Sequence, residues 1–227
     1  MNSCGKQDCE VYRIENFTPT PVDTTKHMGE FFTGDSYVCI FRGEKKYDIH
    51  YWEGKESTAD ETGCAAAFTV QLSDRFEENF NKKSVHHLEL QGEETELFMS
   101  RFHPIKYLQG GVASGFKHYV PDEHVNKLYR VVGKRYPRIY SVPIEASQLN
   151  EGDVFVLDLG EKIFCWQGNA VNTYEKHAAI NFCDDLRQCR HVRATVLFPR
   201  DGHNTDEFWA VLGGSEADVQ PAKEETE

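Results

Sequence analysis

The chain has no run of apolar residues long enough to span a bilayer, and its first residues lack the apolar core of a signal peptide. Basic charge is also in deficit. The 227 residues carry a net charge of −12 at pH 7, which argues against a nucleic-acid binder, because neutralising phosphates takes a basic footprint. Phosphate-cradling G-x-x-x-x-G-K-[ST], nucleophile-elbow G-x-S-x-G and zinc-binding H-E-x-x-H motifs are all missing, so nothing points to an enzyme. Seven cysteines fall at irregular spacings, which fits reduced thiols in a cell rather than a disulfide framework. Cys4 and Cys9 have no second Cys/His pair to complete a zinc site. His86 and His87 are adjacent, so on a strand they face opposite sides and cannot share a metal.

What is present is a repeat. Thr33-Gly34-Asp35-Ser36-Tyr37-Val38 has its counterpart in Glu151-Gly152-Asp153-Val154-Phe155-Val156. Each is followed by a hairpin closing on Trp-x-Gly, Trp52-Glu53-Gly54 and Trp166-Gln167-Gly168. Past each Trp, at the same spacing, stands an acid that opens a helical pattern, Glu61 and Glu175. The copies differ in length only before the Trp, where the first carries the polar loop Gly43-Glu44-Lys45-Lys46. A period this long means two copies of a domain, since solenoid repeats run to 20–50 residues.

In the first copy, residues 11–14 alternate as an edge strand that Pro19 and Pro21 break. Residues 37–41 form a nearly continuous apolar run suited to a central strand. Ala65, Phe68, Leu72 and Phe76 then recur at helical spacing and predict a core face. Cys64, Ala67, Val70, Gln71 and Asp74 fall on another face, one unusually small and uncharged for a solvated helix. A strand over 85–90 and a short helix over 96–102 complete the copy. The second repeats the order, with Tyr174, Ala178, Phe182 and Leu186 as its helix stripe. The expected fold is α+β, two domains each with a central mixed sheet between a long and a short helix. Their bounds are 11–108 and 137–214, with a linker over 109–136 and flexible tails at 1–10 and 215–227.

Gly34, Asp35 and Glu61, and likewise Gly152, Asp153 and Glu175, supply hard oxygen ligands of the kind Ca²⁺ takes. The alternative is plain local structure. Thr58-x-x-Glu61 is a capping box, Asn172-x-x-Glu175 resembles one, and Gly-Asp is ordinary turn chemistry. A separate feature is the basic run over 127–135, with Lys127, Arg130, Lys134 and Arg135, which suits an anionic partner in an otherwise acidic chain.

Residues 31–38, 47–52 and 60–72 and the stretch Gly110-Gly111-Val112-Ala113-Ser114-Gly115-Phe116-Lys117-His118 resemble the first two repeats of the gelsolin/villin/severin family. The resemblance runs from about residue 11 to 213. It implies a calcium-regulated protein of the cytoplasm and cytoskeleton that binds actin monomer and filament, severing, capping or sequestering it. It also implies a calcium in each repeat, held by Gly34, Asp35, Glu61 and the Val112 carbonyl, and by Gly152, Asp153 and Glu175, with Asp218 or Glu224 as a further ligand. A calcium shared with actin is less well matched, because Ser73 stands where the family has a carboxylate. The long helix of the first repeat, with Cys64, Ala67, Val70, Gln71 and Asp74, and with Phe116, would form the actin contact. Lys127, Arg130, Lys134 and Arg135 correspond to a phosphoinositide-binding segment. A phosphoinositide adaptor at a membrane surface and a purely structural calcium-binding pair are the competing readings.

Overall fold

The structure, a computed structural model, describes residues 9–25, 27–102, 104–111, 125–188 and 194–222. It divides into two compact units, Met1–Tyr119 and Val120–Glu227. Each has a five-stranded mixed sheet with a long helix on one face and a short one on the other.

In the first unit the strands are β1 (Cys9–Glu15), β2 (Thr18–Pro21), β4 (Ser36–Arg42), β5 (Lys46–Glu53) and β6 (Lys83–Leu90), in the order β2-β1-β4-β5-β6. β6 runs parallel to β5 and the other neighbours are antiparallel. A short parallel pair, β3 (Glu30–Phe32) with β7 (Ile105–Leu108), lies outside this order. Alternation along the strands divides the core. Val38 and Ile40 of β4 and Tyr47 and Ile49 of β5 pack with Ala65 and Leu72 of the long helix α1 (Ala59–Phe80). Tyr37, Phe41, His50 and Trp52 point the other way, into an aromatic cluster with Phe31 and with Phe98 and Phe102 at the short helix α2 (Glu96–Arg101). With both faces covered, β4 is apolar from Tyr37 to Phe41, in keeping with its continuous run.

The second unit has β8 (Lys127–Val132), β9 (Arg138–Val142), β10 (Val154–Asp158), β11 (Lys162–Gln167) and β12 (Thr195–Leu197), in the order β9-β8-β10-β11-β12. Helix α3 (Thr173–Gln188) covers one face through Ala179, Phe182 and Cys183. Helix α4 (Thr205–Leu212) covers the other, where Phe208 and Leu212 join Phe155, Phe164 and Trp166. Strand for strand this is the frame of the first unit, so the expected α+β pair is the observed fold.

Five expectations need correction. The segment over 11–14 is not an edge strand: β1 lies between β2 and β4, and the proline-bearing segment pairs as the edge instead. The linker over 109–136 contains β8, which lies between β9 and β10 inside the second sheet; its basic residues masked an alternating strand. The tail begins later than 215, since Glu151 N–H donates to Gln220 O and Gln220 N–H to Leu149 O, at 3.0 and 2.9 Å. Tyr174 is 58% exposed rather than core, and buried Glu175 takes the inward position in the first turn of α3. In α1 the core stripe likewise includes Thr69, whose hydroxyl is satisfied by Ala65 O at 2.9 Å, while Phe68 and Phe76 are only partly buried.

Candidate functional site

The two Gly-Asp turns are clamped in the same way. Gly54 N–H donates to Asp35 O and Gly168 N–H to Asp153 O, each at 3.1 Å. Two residues on, Glu56 N–H reaches Thr33 O and Ala170 N–H reaches Glu151 O, each at 2.8 Å. A Cβ on Gly54 would lie 2.2 Å from Thr33 O, and one on Gly168 2.4 Å from Glu151 O. Backbone occupies the space a side chain would need, which is why Trp-x-Gly recurs with Gly-Asp. Trp52 and Trp166 themselves are buried core aromatics. This clamp brings the start of the long helix to the start of the central strand, so the Asp and the Glu of each pair sit at the same end of their sheet.

In the first unit, Glu61 completes the capping box. Its Oε2 accepts from Thr58 N–H at 3.1 Å and from the Thr58 hydroxyl at 3.0 Å, while Thr58 Oγ1 accepts Glu61 N–H. Asp35 is fully buried, and its Oδ2 accepts from Arg13 Nε at 2.7 Å and Arg13 Nη2 at 2.5 Å. Gly34 N–H donates to Gly110 O at 2.7 Å, and a Cβ on Gly111 would lie 2.6 Å from Asp35 Oδ1. The Gly-Gly stretch is thus drawn against the Gly-Asp turn.

The second unit repeats the arrangement with different neighbours. Asp153 Oδ2 accepts from Arg130 Nε at 2.5 Å and Asn150 Nδ2 at 2.6 Å. Glu175 is 1% exposed, and its Oε1 and Oε2 accept from Gly133 N–H and Asn172 N–H at 2.9 and 3.2 Å. Asp218 Oδ2 accepts from Ser215 N–H at 2.8 Å, capping a 3-10 turn.

The pairing of these arginines with the aspartates is what sequence reasoning passed over, Arg130 having been assigned to an anionic partner instead. Arg13 is opposite Tyr37 and Arg130 opposite Phe155, equivalent registers in the two sheets. The signal was in the chain: Val11-Tyr12-Arg13-Ile14 and Leu128-Tyr129-Arg130-Val131 are a further piece of the repeat. Each arginine supplies the opposite charge that a buried carboxylate needs.

The donor set fits a hard cation. Each unit places two buried carboxylates and a glycine backbone at one end of a sheet, and in the first unit the glycines admit backbone where a Cβ would intrude on Asp35. No group of three or more His, Cys, Asp or Glu side chains suited to a metal occurs among the described residues, so any such site is completed by carbonyls. Val112 and Phe116 lie outside the described residues, as does Glu224.

On the outer face of α1, Ala67, Val70, Gln71 and Asp74 are exposed, Val70 by 51%. Cys64 is half-buried and its thiol donates to Phe17 O at 3.0 Å. The basic run is divided by the strand it forms. Lys134 and Arg135 are exposed at the β8–β9 turn, Lys127 is half-buried at the far end of β8, and Arg130 is engaged with Asp153.

Comparison with known proteins bears on all of this. The gelsolin-repeat family model matches residues 19–99 and 138–209. Gelsolin of Gallus gallus is 39% identical over 235 residues, covering 100% of this chain and 30% of its own length. Villin-5 of Arabidopsis thaliana is 39% identical over 92% of this chain and 22% of its own. The actin depolymerising venom protein gelsolin 1 of Platymeris rhadamanthus is 37% identical over 97% of this chain and 61% of its own. The chain therefore spans less than two thirds of the length of each of these relatives. One solved structure, the Thorarchaeota 2DGel3/rabbit actin complex, covers 90% of this chain at 21% identity and a TM-score of 0.39, a likeness too low to argue from. The two matched repeats coincide with the two duplicated sheets and helices, and the chain belongs to the gelsolin family.

Proposed function

We propose that this chain binds actin through the outer face of α1 and that Ca²⁺ binds at the clamped Gly-Asp turns. The observation that carries the reading is the exposed, small-residue surface of Ala67, Val70, Gln71 and Asp74 on a helix whose opposite face is core. Small side chains let a partner approach closely, and Val70 supplies apolar area at the centre. The name of the venom relative, an actin depolymerising protein 37% identical over 97% of this chain, supports actin as the occupant. The corresponding face of α3 carries exposed Lys176 and His177 and the Asp184–Arg187 ion pair, a poor match for an apolar cleft. The first unit therefore takes the monomer and the second reads the filament side. Joining them in one chain raises the effective concentration of the second contact, the physical route from binding to severing or capping in the cytoskeleton.

Asp35 and Glu61, with the Gly34 carbonyl, would hold one ion, and Asp153 and Glu175, with the Gly152 carbonyl, the other. The bound ion supplies positive charge between two carboxylates. The chain's own contribution is to hold those carboxylates at one end of the sheet through the Gly54 and Gly168 clamps. A second reading rests on Lys134 and Arg135, exposed together at one turn, as a site for phosphoinositide headgroups.

Depolymerisation of pyrene-labelled actin, with and without calcium, tests the first reading. The wild-type chain accelerates it in calcium, and Ala67→Glu abolishes the effect while leaving the unfolding midpoint unchanged. Full activity in that variant removes α1 as the contact. Calcium at about a hundred times its Kd adds roughly 2.7 kcal/mol per site. Glu61→Gln keeps its cap and loses much of that gain; an unchanged wild-type midpoint in calcium and in chelator refutes the ion sites. Flotation with phosphoinositide vesicles that survives neutralising Lys134 and Arg135 removes the second reading.

A further inference from the structure

Glu151, the residue before the second Gly-Asp pair, has both carboxylate oxygens engaged, and the group that organises them comes from 49 residues further along the chain. Arg200, in the 3-10 turn Pro199–Asp201, donates from Nη2 to Glu151 Oε1 at 2.6 Å and from Nη1 to Asn169 Oδ1 at 3.1 Å. Asn169 N–H closes the ring on Glu151 Oε2 at 2.7 Å. The guanidinium carbon lies 4.6 Å from the centre of the Trp166 ring, and Nη1 stands 3.8 Å from Glu216 Oε1 in the turn Glu216–Asp218.

The segments that Arg200 touches surround Gly152. Asn169 follows Gly168, whose N–H clamps Asp153 O. The chain beyond Glu216 runs past the turn, where Gln220 O accepts Glu151 N–H and a Cβ on Gly152 would lie 3.4 Å from the Ala222 Cβ. Gly152 N–H itself donates to Asn150 Oδ1 at 2.8 Å. The first unit is built differently here. Thr33 is the counterpart of Glu151 and Lys55 that of Asn169. The Thr33 hydroxyl meets Glu56 Oε2 at 3.4 Å, and Lys55 N–H meets Gln91 Oε1 at 2.8 Å. A threonine offers no carboxylate to an arginine, so the ring around Arg200 belongs to the second unit.

We propose that Arg200 is a positioning residue for calcium at the second Gly-Asp turn, an inference that rests on the calcium reading given above. Two effects of the guanidinium oppose each other. Its positive charge disfavours a cation nearby, but that charge is already paired with Glu151 and partly screened by water. Its planar fork joins Glu151 to Asn169 while stacked on Trp166, which sets the backbone of residues 151–153 before an ion arrives. Groups that orient a metal's ligands from outside are typically worth about 10–100-fold in affinity, so positioning outweighs repulsion. A lysine keeps the charge but has neither the fork nor the flat face.

Calorimetric titration of the chelator-stripped full chain with calcium tests this, site by site. In a Glu61→Gln background the heat reports the second site, and in a Glu175→Gln background the first. Adding R200M should raise the calcium Kd about tenfold in the first background and leave it unchanged in the second. R200K should weaken the second site in the same direction, and it carries the test if R200M does not fold in chelator. A purely electrostatic role predicts the opposite, tighter binding in R200M and wild-type affinity in R200K. A purely structural role lowers the unfolding midpoint in chelator without moving Kd. Unchanged or tighter binding in R200M, wild-type affinity in R200K, or equal weakening at both sites overturns the proposal. An E61Q chain with Arg200 intact that takes up no calcium removes the second-site reading and this proposal with it. Calcium uptake that the Arg200 variants leave intact removes the positioning role alone.

Discussion

In both units an arginine one strand away reaches the aspartate of the Gly-Asp turn, and in the second an amide joins it on the same oxygen. Arg13 reaches Asp35 Oδ2 through Nε and Nη2, and Arg130 Nε meets Asp153 Oδ2 alongside Asn150 Nδ2. A second difference lies across the sheet. Where the first unit has His50, fully buried with Nδ1 2.7 Å from Glu89 Oε1 and its ring stacked on His87 at 4.3 Å, the second has Phe164 packed on Phe208. The duplicated frame thus tolerates a polar or an apolar filling at the same place. What it does not vary is the backbone clamp, and this separates what the fold needs from what each unit uses.

The most damaging change is expected at that shared clamp. Gly54→Ala and Gly168→Ala each place a methyl group within 2.4 Å of a backbone oxygen and should cost about 3 kcal/mol in their own unit, read by denaturant unfolding. Similar losses in the two units support equivalence, and a large loss in one alone breaks it. Next, Arg13→Met removes the arginine from buried Asp35 and should cost about 3 kcal/mol. Arg130→Met, with Asn150 still donating to Asp153 Oδ2, should cost about 2 kcal/mol in the second unit.

The third prediction uses the polar filling. Burial holds the His50 pKa below its usual value despite the hydrogen bond to Glu89. Burial also pushes Glu89 up, but hydrogen bonds from His50 and Thr95 outweigh it and hold that carboxyl low. Both shifts have the same sign for stability. The unfolded chain binds more protons, so stability is complete above the unfolded histidine range near 6.5 and falls as pH drops through it, then further through the carboxylate range. Hydrogen exchange measured from pH 7.5 to 5 should show the first unit loosening while β10 and β11 of the second hold. Equal loosening in both would remove His50 and Glu89 as the cause. The smallest effect belongs to Tyr174→Ala, within about 0.5 kcal/mol, because the ring is exposed despite its place in the apparent stripe.

Tyr174 shows where the sequence ceased to be readable. Apolar periodicity marks a helix face, but the first turn of α3 is set by its cap, which turns Glu175 inward and Tyr174 out. Thr69 entered the α1 core for a related reason: its hydroxyl finds the Ala65 carbonyl one turn back and costs nothing to bury. The repeat of Gly-Asp, Trp-x-Gly and the helix acids was legible because backbone geometry requires those residue types. The partners of the aspartates were not, since Arg13 and Arg130 precede them by 22 and 23 residues and only pairing of β1 with β4 and β8 with β10 brings them together. Strand β8 was obscured by its own basic residues, which read as a linker until Asp153 accounted for Arg130.

The edge strand β2 gives the first sheet a direction. Val22 N–H donates inward to Val11 O, so Pro19 and Pro21, of the opposite parity, hold the outward positions and have no N–H to offer another strand. At the other edge β6 is eight residues long and contains no proline. Among the described residues, this sheet is closed to lateral growth on one side and open on the other. Any added strand, from this chain or a neighbour, must therefore arrive beside β6, and assemblies built by strand addition can extend from this unit one way only.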